Sequence, residues 1–276
     1  LPDSNHRLVG AFGPDGVNSN DSPTSLLYIL KNLPPHLRPA LLQRDNYKRT
    51  PLHYAAQFGL REITTIIIDF LKSWNEWDST VAIDDLSVWG DAESLSPLHL
   101  AVLGTHPKTV EVLIANSDRK LTSSRLFLLA ARLNSPEILG SLLGCKGIEI
   151  DFADPDTHET ALYIASKLNF SKTVEFLLRQ KANTEIGENS FGWTPIFIAA
   201  VEGLYQIVIL LKEYGAEYSL EDESGWTPME HACLRGHLQI SDILRPKNYD
   251  RFQLIENSFK SNNSSTGSVD KVNNLS

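Results

Sequence analysis

Eight histidines, two cysteines and a short run of carboxylates are the side chains of this 276-residue sequence from which acid–base, nucleophilic or metal chemistry would be built. A metal site needs ligands that converge, such as imidazoles at i and i+4 on one helix. His6, His36, His158 and His231 have no second imidazole or thiol at such a spacing. Cys145 and Cys233 form neither a metal pair nor a disulfide framework and lack the local signature of a catalytic thiol. Their sparse use fits a reducing, cytoplasmic setting. Asp84, Asp85, Asp91 and Glu93 could hold a cation, but they lack the EF-hand spacing and read more simply as a solvated loop. No G-x-S-x-G elbow, Walker loop or G-x-G-x-x-G turn occurs. The expectation is a chain without catalytic machinery, metal or cofactor.

Composition narrows the partners. The formal net charge of −9 argues against nucleic acid, which demands a basic face, and against a polybasic membrane anchor. The longest apolar run, Ile66-Ile67-Ile68, is broken at once by Asp69, so no segment reads as a membrane span. Hydrophobic residues at 42% and charged residues at 21% are ordinary for a globular chain. The sequence begins at Leu1 with no signal-like region, which suggests a piece of something longer.

What would position any site is a repeat. Thr50-Pro51-Leu52-His53-Tyr54-Ala55-Ala56 recurs as Ser96-Pro97-Leu98-His99-Leu100-Ala101-Val102 and as Thr160-Ala161-Leu162-Tyr163-Ile164-Ala165-Ser166. It returns as Thr194-Pro195-Ile196-Phe197-Ile198-Ala199-Ala200 and Thr227-Pro228-Met229-Glu230-His231-Ala232-Cys233, with a degenerate copy at Arg125-Leu126-Phe127-Leu128-Leu129-Ala130-Ala131. Spacings between successive starts are 46, 29, 35, 34 and 33. Thr or Ser caps a helix by accepting backbone N–H bonds, and Pro suits the first helical position. The alanines let neighbouring helices approach. Gly59, Gly203 and Gly236 mark the turn into a second helix with apolar spacing, as in Val174, Leu177 and Leu178. The third copy lacks both the Thr cap and the Pro, and the fourth has Ala161 for Pro, so both should be less regular.

These motifs and this period resemble the ankyrin repeat. The resemblance implies an all-α solenoid of about six repeats with an N-terminal helical cap and short finger turns. It also gives His53, His99, His106 and His237 a structural role in loop hydrogen bonding. In sequence order we expect an extended arm at 1–24, a helical cap at 25–44, repeats over 45–246 and a disordered tail or linker at 247–276. The first interval is too long for one repeat and places an insertion near 74–90, containing Trp74, Trp77 and Trp89. Those tryptophans are either an exposed partner-binding hot spot or a local mini-core fastening the insertion down.

In such a stack the first helices and finger turns offer the binding surface. The repeat frame puts Tyr54, Gln57, Phe58, Leu103, Arg132, Leu133, Lys167, Leu168, Val201, Glu202, Leu234 and Arg235 on that face. Several are apolar, and would either form a groove for a protein partner or pack between repeats. Trp193 and Trp226 occupy equivalent finger positions, where exposure is expected more than for the helix-end residues, and are candidate contacts.

A narrower resemblance is carried by Phe12-Gly13-Pro14-Asp15-Gly16-Val17-Asn18, by Leu33-Pro34-Pro35-His36-Leu37-Arg38, and by Arg44-Asp45-Asn46-Tyr47-Lys48-Arg49 leading into the first repeat. The Trp-bearing insertion ending in Asp91-Ala92-Glu93-Ser94-Leu95-Ser96 adds to it. Together they are similar to the central region of fungal proteins built as an SPX domain, ankyrin repeats and a glycerophosphodiester phosphodiesterase domain. One branch of that family hydrolyses glycerophosphocholine; the other inhibits a cyclin–kinase pair in phosphate-starvation signalling. Neither the SPX lysines nor the His-Arg-Gly motif of the phosphodiesterase occurs here, since His6-Arg7 is followed by Leu8. The resemblance implies a non-catalytic module that scaffolds flanking domains or docks a protein. A cyclin–kinase complex is the alternative partner, with a nuclear location in that case.

Overall fold

The computed structural model describes residues 23–246; the expected tail, and all but the last two residues of the expected arm, lie outside the described residues. The chain divides into two compact units, Leu1–Asn183 and Thr184–Ser276. Among the described residues every regular element is helical, apart from isolated bridges pairing Lys120 with Lys146 and Ala153 with Thr160.

The first unit opens with α1 (Pro23–Lys31) and a 3-10 helix at Pro35–Leu41. Pro39 inside the latter has no N–H to give and cannot sit in an α-helical interior, which accounts for the tighter winding. Four helix pairs follow: α2 (Pro51–Gln57) with α3 (Arg61–Ser73), then α5 (Pro97–Leu103) with α6 (Pro107–Ala115). The others are α7 (Arg125–Arg132) with α8 (Pro136–Leu143), and α9 (Ala161–Lys167) with α10 (Ser171–Arg179); α4 (Leu86–Trp89) lies in the long first interval. Successive first helices α2, α5, α7 and α9 pack side by side, as do the second helices α3, α6, α8 and α10, while α1 covers α3. The second unit repeats the scheme with α11 (Pro195–Val201), α12 (Tyr205–Glu213), α13 (Pro228–Leu234) and α14 (Leu238–Leu244).

Within each unit the core is shared between neighbouring pairs. Ala55, Ala56, Ala130, Ala131, Ala199 and Ala200 are fully buried where first helices meet, and Ile67, Val110, Leu139 and Leu177 fill the space under the second helices. Each Ile, Val or Leu side chain so buried contributes roughly 1.5–3 kcal/mol.

Every first helix but α7 starts at a residue in extended backbone. Thr50, Ser96, Thr160, Thr194 and Thr227 all have ψ between 160 and 169°. Ser96, Thr160 and Thr227 accept the backbone N–H of His99, Tyr163 and Glu230. The fourth repeat is therefore as regular as its neighbours, because the cap and not the proline sets the start. Only the third departs: Ser124 has φ −74° and ψ −2°, with no side-chain cap.

The exit from each first helix is a left-handed residue at a fixed place: Gly59, Thr105, Asn134, Asn169, Gly203 and Gly236. Gly59 and Gly203 also meet a packing constraint. A Cβ on Gly59 would lie 2.5 Å from the His106 ring, and one on Gly203 would lie 2.5 Å from the His237 ring.

The finger turns share a device as well. The Asp45 carboxylate accepts the N–H groups of Tyr47 and Arg49, and that of Asp91 accepts those of Glu93 and Leu95. Asp154 does the same for Asp156 and Thr157, Glu188 for Ser190, Phe191 and Trp193, and Asp222 for Ser224 and Trp226. One carboxylate thus satisfies two or three turn donors that would otherwise lack partners.

Candidate interaction surface

The side chains with chemistry to offer are mostly committed to this framework. His53 is buried; its Nδ1 accepts the Thr50 N–H at 3.1 Å, and its Nε2 lies 2.7 Å from the Trp89 carbonyl. That pattern assigns the proton to Nε2. Burial, aided by the positive charges of Arg44 and Arg49 and opposed by the bond to Trp89, lowers its pKa to about 4. His99 caps the second repeat in the same way through Ser96, and burial lowers its pKa too. His106 Nε2 reaches the Gln57 carbonyl of the preceding repeat at 3.0 Å. His231 lies 2.8 Å from Asp222 Oδ2. His36 is exposed, and His6 lies outside the described residues. Cys145 is buried, and burial pushes its thiol up to about 11, far from a reactive thiolate. Among the described residues no group of three His, Cys, Asp or Glu side chains is placed to hold a metal ion.

The expected solvated loop at Asp84, Asp85, Asp91 and Glu93 is a misreading for two of the four. Asp84 and Asp91 are buried. Asp84 accepts the N–H groups of Thr122 and Ser123 together with the Thr122 hydroxyl. It supplies across space the carboxylate that the third repeat lacks in its own finger. Asp91 closes its own turn and pairs with Arg49 at 2.7 Å, while Arg44 holds the Gly90 carbonyl. Asp85 caps α4 through Ser87, and Glu93 alone is largely solvated, 3.3 Å from Arg49.

The tryptophans of the long interval follow the same logic. Trp74 packs on Phe70 with centroids 5.4 Å apart, under the Arg38 guanidinium at 5.2 Å. Trp77 lies 5.4 Å from Trp89 and donates its indole N–H to the Asn116 carbonyl at 2.8 Å. Trp89 is buried and its carbonyl receives His53. These rings tie α3, the interval and the second repeat together; a mini-core describes them better than an exposed hot spot.

The candidates at the ends of the first helices separate by exposure. Phe58, Leu103 and Leu168 are exposed and Leu133 is half-buried, forming an apolar series at the exits of α2, α5, α7 and α9. Arg132 and Lys167 flank it and share Glu159, at 3.1 and 2.9 Å. In the second unit Val201 is fully buried and faces the core, whereas Glu202, Leu234 and Arg235 are exposed.

The fingers of the second unit hold an aromatic cluster. Trp193 and Trp226 are half-buried. Trp193 donates its indole N–H to Asp222 at 2.9 Å and packs edgewise on His231, while Trp226 tilts against the same ring. The exposed aromatic is Phe191, stacked on Trp193 with centroids 4.9 Å apart. The repeat frame does not single it out, although its place directly before the recurrent Gly-Trp-Thr-Pro sequence is a usable signal.

No described helix is long and apolar enough to cross a membrane. Comparison with known proteins agrees with the architecture. Among solved structures, the ankyrin-repeat domain of Bcl-3 superposes with a TM-score of 0.60 at 24% identity, covering 73% of this chain and 87% of that one. Glycerophosphocholine phosphodiesterase GDE1 of Eremothecium gossypii is 62% identical over 246 residues, 88% of this chain but 19% of that protein. The protein of the same name from Candida albicans is 54% identical over 88% of this chain and 21% of its own length, so the chain spans about a fifth of these relatives. Three copies of the family pattern described as Ankyrin repeats match residues 25–124, 126–222 and 188–256. The chain belongs to the ankyrin-repeat family, a non-catalytic helical fold of protein-interaction modules.

Proposed function

We propose that this chain is the ankyrin module of a glycerophosphocholine phosphodiesterase acting in phosphate and phospholipid metabolism. It binds protein and performs no chemistry itself, holding the flanking SPX and phosphodiesterase domains or docking a separate protein in the cytoplasm. The reading rests on one observation: 62% identity over 246 residues to a protein named for that activity. The exposed apolar series Phe58, Leu103 and Leu168 supports a binding role, because such side chains in water favour contact with another protein surface.

The test has two arms. The purified chain, given glycerophosphocholine, should release no choline, and it should bind the phosphodiesterase domain supplied in trans. Double substitution of Leu103 and Leu168 by Ser should weaken that binding. Choline release by the chain alone would refute the module reading. Tight binding to a cyclin–kinase pair with no affinity for the phosphodiesterase domain would replace the scaffold with a kinase regulator.

A further inference from the structure

Two finger tips of the second unit, 188–193 and 221–226, carry charge and aromatic surface that the fold does not use. Ten of the chain's 34 acidic residues lie between 184 and 246, with only three of its 25 basic residues. Part of that charge is committed: Glu188 and Asp222 close turns, and Asp242 pairs with Arg245. Glu221 and Glu223 are exposed and make no ion pair among the described residues. Glu223 stands beside Phe191, and Glu221 lies on the same finger tip. The Glu223 N–H donates to the Phe191 carbonyl at 3.5 Å, and Glu223 Cγ lies 4.0 Å from where a Cβ on Gly192 would sit. A Cβ on Gly225 would lie 3.9 Å from Glu221 Oε2. Phe191 is 48% exposed; one ring face stacks on Trp193, and no other ring touches it among the described residues.

An exposed phenyl face next to an unpaired carboxylate matches one side chain above others. A guanidinium stacks flat on an aromatic ring while its N–H fork pairs with a carboxylate; an ammonium offers only a point charge. We propose that these tips form a docking surface for an arginine-bearing extended segment of a protein partner. The guanidinium lies on the outer face of Phe191 with Glu223 as its counter-charge, and Glu221 adds negative charge to the same finger tip. The inference rests on the module reading above and adds the chemistry of the partner.

The probe is an acetylated, amidated heptapeptide alternating glycine and arginine, titrated into the isotope-labelled chain, with its lysine counterpart as control. Amide resonances of 188–193 and 221–226 should shift, with weaker shifts for the lysine peptide. Phe191→Ala and the double variant Glu221→Gln/Glu223→Gln should each weaken binding about threefold. Raising salt from about 0.05 M to about 0.5 M should weaken it further. Because Glu221 and Glu223 are exposed, their double variant should keep the parent unfolding midpoint; Phe191→Ala also gives up the stack on Trp193, and Phe191→Leu separates loss of the ring from loss of bulk. The proposal is overturned if no resonance shifts, if shifts spread evenly over all acidic regions, if the lysine peptide binds as well, or if the variants bind like the parent. Peptide binding at the tips without binding of the phosphodiesterase domain in trans would sink the scaffold reading and leave the docking surface standing; the reverse result would do the opposite.

Discussion

His53 makes the stability of the first repeat depend on pH in a window where the carboxylates are silent. Its folded pKa of about 4 lies below the ordinary 6.5. The unfolded chain therefore takes up a proton first as pH falls, and stability is full above about 7.5 and declines towards about 4. The complete shift is worth roughly 3 kcal/mol, of which about 2 kcal/mol is lost by pH 5. The cause is local. A proton on Nδ1 would face the Thr50 N–H that now donates to it, on a fully buried ring where a charge is costly. His99, also lowered by burial, adds loss of the same sign. Burial pushes the Asp91 carboxyl up, but the Leu95 N–H and the Arg49 guanidinium outweigh it and hold it below the usual range. The stability Asp91 contributes is lost only as pH falls below about 3.9, outside this window.

The assay compares urea unfolding of the parent and of His53→Gln at about pH 7.5 and about pH 5. Glutamine does not titrate. The variant should be less stable at the higher pH, and the parent should lose about 2 kcal/mol more than the variant on acidification. Direct titration of the imidazole resonance should give a midpoint far below 6.5. Parallel losses in the two proteins, or a His53 midpoint near the ordinary value, would refute the reasoning.

Other perturbations test the remaining joints of the framework. Asp84→Ala leaves the N–H groups of Thr122 and Ser123 without their acceptor and should cost about 2 kcal/mol by denaturant unfolding, with amide exchange rising first around 120–124. Gly59→Ala combines a left-handed backbone with a Cβ 2.5 Å from His106, and should lose about 2 kcal/mol or more, partly restored by His106→Ala. Thr105 is β-branched at φ 54°, where asparagine serves two other repeats, so Thr105→Asn should raise stability by up to about 1 kcal/mol in thermal unfolding.

Much of this architecture is legible from residues whose roles are local. Thr50, Ser96, Thr160, Thr194 and Thr227 announce helix starts because a cap acts over three residues, and the glycine exits follow because left-handed backbone tolerates few other side chains. The misreadings involve distance. Asp84 serves a turn 38 residues away, so its neighbours in sequence describe a solvated loop while its neighbours in space are backbone donors. Trp77 likewise finds its acceptor at Asn116. Ala161 in place of Pro does not loosen the fourth repeat, since the Thr160 cap holds the start. Trp193 and Trp226 are half-buried where exposure is expected, and the exposed ring is Phe191, because Asp222 draws the Trp193 indole inward.

The finger carboxylates also alter what the net charge of −9 means. Asp45, Asp91, Asp154, Glu188 and Asp222 each accept two or more turn N–H groups, so part of each charge is already answered by the backbone. Replacing one by asparagine or glutamine keeps acceptor capacity and forfeits the charge-assisted share of the bonds, so its effect belongs to stability first. Glu221 and Glu223 answer to no such donor, and their neutralisation should leave the fold intact while changing what the surface attracts. Two acidic residues one position apart, Asp222 and Glu223, therefore have separable jobs. The first fixes the finger by holding the Trp193 indole and the Trp226 N–H, and the second presents its charge beside Phe191. A charge count cannot distinguish them; the direction of their hydrogen bonds does.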